Sequence, residues 1–438
     1  MGTAPGLCFD AVVVGAGPAG SAVAIELARA GWSVALIEKQ SFPRRKVCGE
    51  CIAASNLPLL QTLGLAKAFE VLAGPELRRV TLMHGTTAVL ADLPSAQHKC
   101  HPWGRALGRE TLDTLLLEQA QAAGAVVYQP CAVQAILGTP GAWHCEVRML
   151  ESQTLLRLRA TVVVDAHGSW EDLPQDRRTQ SQARGAADLF AFKANFRGAA
   201  LPKGQITVLA LDGGYGGMVS SAAGMTTVAC CIRRDRLHML RGPGSGLRAS
   251  EAVEAWLLRE CDGARRALRG AVRDGPWLAS GPLNPGIRLR ASDGLFRVGN
   301  AAGEAHPILG EGMSMALQSA ALLCFHLLDR SSSARPPNPA AQAKLQHRYV
   351  AAWRREFVPR LRVAALFAHV AMRPRLAAAM VRLVRWWPGL LTQGARWGGK
   401  VRSVRRLLPP VLPTPMPAAP PAIRRPKAYL SNPHQEPT

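Results

Sequence analysis

Gly15, Gly17 and Gly20 have the spacing that brings a pyrophosphate onto main-chain amides, and Glu38, 18 residues past Gly20, is the acid that would accept hydrogen bonds from a ribose. Gly15 permits a tight turn, Gly17 removes the side chain that would block the phosphates, and Gly20 lets a helix pack closely on a strand. A second constellation lies far away in the chain: Gly299-Asn300-Ala301-Ala302-Gly303, then His306, Pro307, Gly310, Gly312 and Met313. A third is Asp165-Ala166-His167-Gly168-Ser169. All three are rich in small residues, and the first, between a strand and a helix, suits the binding of a dinucleotide. Cys48 and Cys51 form a CxxC that is a redox pair, half a zinc site or plain loop packing. A zinc site needs a second pair at suitable spacing, none exists, and so no metal is expected.

The elements around the first turn make it meaningful. Asp10 to Val14 is an apolar strand, Ser21 to Arg29 a helix, and Ser33 to Glu38 a second apolar run, which together make a βαβ unit. Residues 42 to 51 read as a loop, whose Arg44 and Lys46 either meet phosphates or are solvated charges. Leu112, Leu115, Leu116 and Ala120 recur at helical spacing, with Arg109 near the start of that helix and Asp113 in its first turns, and Gly124 ends it. Thr161 to Asp165 is a buried strand. Leu189 to Asp235 reads as antiparallel sheet with a glycine turn at Gly213, Gly214, Gly216 and Gly217, and Lys193 is expected on its outer face. Tyr215 on the same sheet either faces a substrate or packs within the sheet. Leu295 to Val298 is a short strand, Gly299 to Gly312 a loop and Met313 to Leu328 an apolar helix.

Length and charge bound the whole. A chain of 438 residues calls for two domains and an appendage. Its formal charge is +23, and from Ala351 to Thr438 sixteen Lys and Arg face only Glu356 and Glu436, so the basic character sits mainly in the C-terminal segment. That segment either lies on anionic lipid, with Trp386 and Trp387 at headgroup level beside Arg373, Arg375, Arg382 and Arg385, or packs over the active site as a helical layer. It lacks the interleaved aromatics of a nucleic-acid module. Ten cysteines without paired spacing imply a reduced, cytoplasmic setting, and Met1 to Cys8 is too short for a signal peptide. No run approaches the ~20 apolar residues of a spanning helix. The best, Val363 to Met372, is interrupted by His369.

The glycine turn with Glu38, the strand ending at Asp165-Ala166-His167-Gly168, and the Gly299 to Gly312 segment together resemble the single-component FAD-dependent monooxygenases, a superfamily that includes geranylgeranyl reductases and flavin-dependent halogenases. Phe42-Pro43-Arg44, Lys46 and Cys48-Gly49-Glu50 are most similar to the reductase and halogenase branch. The resemblance covers Phe9 to Leu328. It implies an α/β fold: a Rossmann-like FAD-binding domain, an inserted antiparallel-sheet substrate domain and a helical C-terminal extension. The corresponding segments are 1–175 and 288–330 for FAD, 176–287 for the substrate sheet, 340–407 for a basic helical region and 408–438 for a proline-rich flexible tail.

The resemblance also implies roles. Gly15, Gly17, Gly20, Glu38, Lys46, Arg109, Asp165, Gly299, Asn300, Ala301, Gly310, Gly312 and Met313 would hold FAD, with Lys46 alternatively meeting NADPH. Pro307 would line the reacting face, His306 would be a proton donor or a loop residue, and Tyr215 would face the substrate. Asn300 stands where the family usually has Asp, and its carbonyl oxygen can still accept from a ribityl hydroxyl. Gly214 to Ser220 keeps, at Tyr215, the tyrosine of the prenyl reductases' aromatic segment but loses its Trp, Phe and Pro, and neither the Trp-x-Trp-x-Ile-Pro segment nor a catalytic lysine of the tryptophan halogenases is found. The expected activity is NAD(P)H-dependent hydroxylation of a hydrophobic aromatic or lipid-like small molecule. The alternatives are reduction of isoprenoid double bonds, halogenation, and a membrane- or nucleic-acid-binding protein that keeps the fold. The expected location is cytoplasmic, with peripheral contact at the inner membrane face.

Overall fold

The computed structural model describes residues 7–96, 98, 100–169, 185–242, 246–291, 293–328 and 336–402. In chain order the elements used below are β1 (Leu7–Val14), α1 (Pro18–Arg29), β2 (Val34–Ile37), β3 (Arg79–His84), β4 (Thr87–Asp92), α2 (Arg109–Ala122), β5 (Val126–Tyr128), β6 (Cys131–Thr139), β7 (Ala142–Met149), β8 (Leu155–Asp165), β9 (Leu189–Arg197), β10 (Gln205–Leu211), β11 (Gly214–Ser220), β12 (Met225–Arg233), β13 (Leu278–Leu283), β14 (Phe296–Arg297), α3 (Gly312–Leu327), α4 (Pro339–Ala371), α5 (Pro374–Trp386) and α6 (Gly389–Trp397).

The first sheet runs β5-β2-β1-β8-β7-β6, with β14 beside β8. Its β1, β2, β5, β8 and β14 are parallel, whereas β6 and β7 return antiparallel. The near-continuous Val and Ala of β1 and β8 suit strands covered on both faces. One cover is a layer of α1, α2 and α3, where Val23, Leu27, Leu112, Leu116, Ala320 and Leu323 share a core. Gly124, at φ +103, turns the chain out of α2, since a left-handed residue just past a helix end favours glycine.

Most of the second sheet is inserted between β8 and β14, and two of its strands, β3 and β4, come from before β8. It runs β9-β12-β11-β10-β3-β4, with β13 also paired to β9 and the two-residue strand Val272–Arg273 at one edge. All pairs are antiparallel except β10 with β3. Two sequence expectations change here. Arg79–His84 and Thr87–Asp92, within the segment 1–175, lie in this second sheet, because β3 pairs with β10 rather than with β1 or β2. Of the glycines expected in one turn, only Gly213 turns. Gly214, Gly216 and Gly217 lie within β11, where a Cβ on Gly214 would stand 2.5 Å from the Trp256 ring and one on Gly216 would stand 2.9 Å from Ala229 O. They are spacers for close packing, not breakers.

The basic C-terminal helices form a layer across both sheets. Asn338 caps α4 by accepting from Ala341 N at 2.9 Å. Early in α4, Gln346 donates to Leu295 O at 3.0 Å and Tyr349 Oη donates to Arg297 O at 2.7 Å. Late in α4 and along α5, Ala368, Met372, Ala377, Val381 and Val384 join a core with Leu82, Val89 and Tyr215 of the second sheet. No helix among the described residues is long and apolar enough to cross a membrane. The proline-rich stretch 408–438 lies outside the described residues.

Candidate active site

A cavity of about 1010 Å³ runs from the Gly15 turn, past the start of α3, to the second sheet. It lies at the top of the ~300–1,000 Å³ range of small-molecule sites, as a dinucleotide with a second molecule would need.

At its first end the chain is shaped by backbone geometry. Gly15, at φ +100, donates its N–H to Ile37 O at 2.7 Å, and a Cβ there would fall 2.5 Å from Ala166 O. A Cβ on Gly20 would fall 1.8 Å from Gly15 O. Gly17 differs: a Cβ would meet nothing nearer than the Arg109 guanidinium at 3.8 Å, so the N-terminus of α1 opens onto free space. Glu38 is buried and accepts from Ala16 N at 2.9 Å and from Gln40 N at 3.0 Å, which fixes its carboxylate against the turn.

Arg44, Lys46 and Arg109 converge on this end. Arg109 forks onto Asp113 with two bonds of 2.7 Å, and Arg44 stands 3.6 Å from Glu38 and 3.9 Å from Asp113. Burial, then the charges of Arg109 and Arg44, push the Lys46 ammonium down to about 8. The Arg44 Nε is buried without a hydrogen-bond partner. Crowded cations, an orphaned donor and the open helix end make a cradle that fits the pyrophosphate of FAD.

The Gly299 segment supplies the middle. Asn300 Nδ2 donates to Ser169 Oγ at 2.6 Å, which orients its carbonyl oxygen as an acceptor beside the cavity. Gly310, at φ +62, Gly312 and Met313 line the cavity, as do Gly299 and Pro307. Four expected residues do not: Gly20, whose place is taken up by close packing on Gly15 O, and three others. Ala301 is buried beneath the surface of the loop. Asp165 is fully buried and holds His167 Nδ1 on one side and Arg297 on the other, at 3.4 Å, so His167 is the residue presented to the cavity. His306 stands behind the wall, its Nδ1 3.4 Å from Tyr215 Oη and its ring 5.6 Å from that of His369. Burial, then His369, lowers His306 to about 4, so it is neutral near pH 7.

The far wall is β10 to β12, with Ile206, Val208, Tyr215, Met218 and Cys231 among its residues. Burial, then the neighbouring Cys231, raises the Tyr215 phenol well above its ordinary value, so it stays protonated. Neither Lys nor Arg is present among the cavity residues of β10, β11, β12 and β13. The cations all belong to the nucleotide end. Cys48 and Cys51 both line the cavity as free thiols, and no group of metal-binding side chains occurs among the described residues.

Two polar clusters escaped the sequence reading. Lys193 is not on an outer face: it is 2% exposed and pairs with Glu50. Glu50, at φ +57, also accepts from Arg109 N at 2.9 Å and Thr227 Oγ1 at 2.6 Å. The face opposite Phe192 and Phe196 is covered by the nucleotide-binding layer, so the polar side of β9 points inward. The parity of Lys193 against those two phenylalanines separates the two faces of β9 without telling what covers the polar one. The second cluster is Lys400, whose Nζ reaches Glu311 Oε1 and Gly310 O at 3.5 Å each and Cys51 Sγ at 3.9 Å. Nothing local to residue 400 announces it.

The model of the family described as FAD binding domain matches residues 9–235. Over 57 residues the chain is 51% identical to the menaquinone reductase of Mycolicibacterium smegmatis, covering 13% of this chain and 14% of that one. Over 324 residues it is 25% identical to the tryptophan 2-halogenase of Chondromyces crocatus, covering 71% of this chain and 59% of that one. The matches thus span less than two thirds of the length of these curated relatives. The solved structure of the myxobacterial chondrochloren halogenase CndH shares the fold at a TM-score of 0.67 and 19% identity, covering 90% of this chain and 96% of that one. With a family match over more than half its length, laid across the Gly15 turn and the cavity it opens onto, this chain belongs to the FAD binding domain family.

Proposed function

We propose that the protein is an NAD(P)H-dependent monooxygenase that hydroxylates a hydrophobic aromatic or lipid-like small molecule. FAD, when bound, would supply the redox chemistry of a monooxygenation, in which two electrons come from the nicotinamide, one atom of O₂ enters the substrate and the other leaves as water. The chain's own residues bind and orient. Arg44, Lys46, Arg109 and the N-terminus of α1, all lining the cavity, would hold the pyrophosphate, and Asn300 would accept from the ribityl chain. Gly310 and Gly312, which line the cavity, would offer main-chain amides to the ring system, and Pro307 and Met313 would bound its place. Ile206, Val208 and Val219 provide an apolar wall that keeps water from the reacting atoms, and the protonated Tyr215, backed by neutral His306, is a donor for one polar group of the substrate.

The observation that carries this reading is the division of the single cavity, with its cations at the nucleotide end and an apolar wall opposite. Halogenation is the second reading, favoured by the likeness to the tryptophan 2-halogenase. Against it stands the absence of a lysine among the described wall residues, since the tryptophan halogenases carry a catalytic one. The test is turnover of the FAD-loaded protein with NADPH, O₂ and a phenolic lipid, with and without bromide or chloride, read by oxygen uptake and product mass. A product gaining one oxygen regardless of halide supports the proposal. A halogenated product overturns it in favour of the second reading. Saturation of a double bond without oxygen uptake overturns both.

A further inference from the structure

We propose that α5 and the adjoining tryptophans form a docking surface for anionic lipid bilayers. The inner face of α5 is accounted for, because Ala377, Val381 and Val384 pack on Leu82 and Val89 of the second sheet. Its outer face carries a second apolar stripe. Leu376, Ala379, Leu383 and Trp386 recur every three or four residues, and all are exposed, Leu383 by 56% and Trp386 by 90%. Trp387, at the helix end, is 68% exposed, and Trp397 at the end of α6 is 57% exposed. A helix apolar on two faces, one buried and one bare, has a partner for the bare face.

Charge identifies the partner. Arg375 and Arg382 border the stripe along one side, with Arg385 beyond them and Arg373 and Arg396 at the helix ends. From Arg373 to Arg402 there are seven Lys or Arg and no acidic residue. The partner is therefore apolar within and negative at its surface, and indoles at the tip of the patch suit the headgroup boundary of a bilayer. A second copy of the chain would bring arginine against arginine. The placement also has a use. α5 rests on β3 and β4, β3 pairs with β10, and β10 lines the cavity through Ile206 and Val208. The apolar wall therefore lies one layer beneath the docking helix, which suits a substrate drawn from lipid. The docking itself does not depend on which reaction the flavin performs.

The full-length, FAD-loaded protein is mixed with phosphatidylcholine vesicles, with and without phosphatidylglycerol, and followed by flotation and by tryptophan emission. Binding is expected only with phosphatidylglycerol, with a blue shift of emission. The exposed pair Trp386→Ser/Trp387→Ser and the exposed set Arg375→Gln/Arg382→Gln/Arg385→Gln are each expected to weaken it at least about tenfold. Retained flavin absorbance shows that the variants fold. Failure to float with anionic vesicles overturns the proposal. So does undiminished binding by both variants, which would assign the contact to the basic residues beyond Arg402. A dimer dissolved by the tryptophan variant, or saturable binding to an acidic protein in place of vesicles, likewise overturns it.

Discussion

At Gly17 and Gly20 the same substitution, glycine to alanine, separates binding from folding. Gly17 has φ −69 and open space where a Cβ would point, so Gly17→Ala is expected to leave the melting temperature of the FAD-free protein unchanged while weakening flavin binding. Gly20→Ala forces a methyl onto Gly15 O and is expected to cost on the order of 3 kcal/mol of stability before any ligand is added. Thermal melts with and without FAD distinguish the two. Lys46 offers a titration. Its ammonium sits at about 8 among Arg44 and Arg109, and a pyrophosphate would raise it. FAD affinity is therefore expected to hold steady below about pH 8 and to fall as pH rises above it, because the bound form takes up the proton. Lys46→Met is expected to lower affinity by about tenfold at pH 7 and to flatten that dependence. Flavin fluorescence titrations at pH 7 and 9 check both.

Between elements, the buried contact of β9 with the loop after β2 is the joint to test. Lys193→Met leaves the Glu50 carboxylate buried with only Thr227 and the Arg109 amide as partners, and is expected to cost about 3–5 kcal/mol in urea unfolding. Adding Glu50→Gln is expected to recover part of that loss. This joint also shows what a sequence can convey. The glycine turn and Glu38 were legible because their constraint is local: a strand, a turn and a helix within about 30 residues. The start of α2 at Arg109 and its end at Gly124 were legible for the same reason. Lys193 was not, because a strand's periodicity says which residues share a face but not what covers that face. Asp165 was placed on the correct strand and given the wrong neighbour, since its pairing with Arg297 depends on β14 returning beside β8.

For the molecule as a whole, the C-terminal layer is part of the core. A chain ending before Pro339 would uncover Tyr215, Leu82 and Val89 on one side and the first core at Leu317 and Ala320 on the other. It is expected to be insoluble, whereas Tyr349→Phe, which removes one buried hydrogen bond, is expected to cost only about 1 kcal/mol. Soluble yield and denaturant midpoints test the pair. α4 is one 33-residue rod, fastened to the nucleotide layer at Gln346 and Tyr349 and to the second sheet at Ala368. The two layers cannot gape like jaws without breaking that rod, and its natural crease is Pro359, where an amide is missing from the ladder. Guests must therefore pass through a slot whose frame is braced on both sides by that rod.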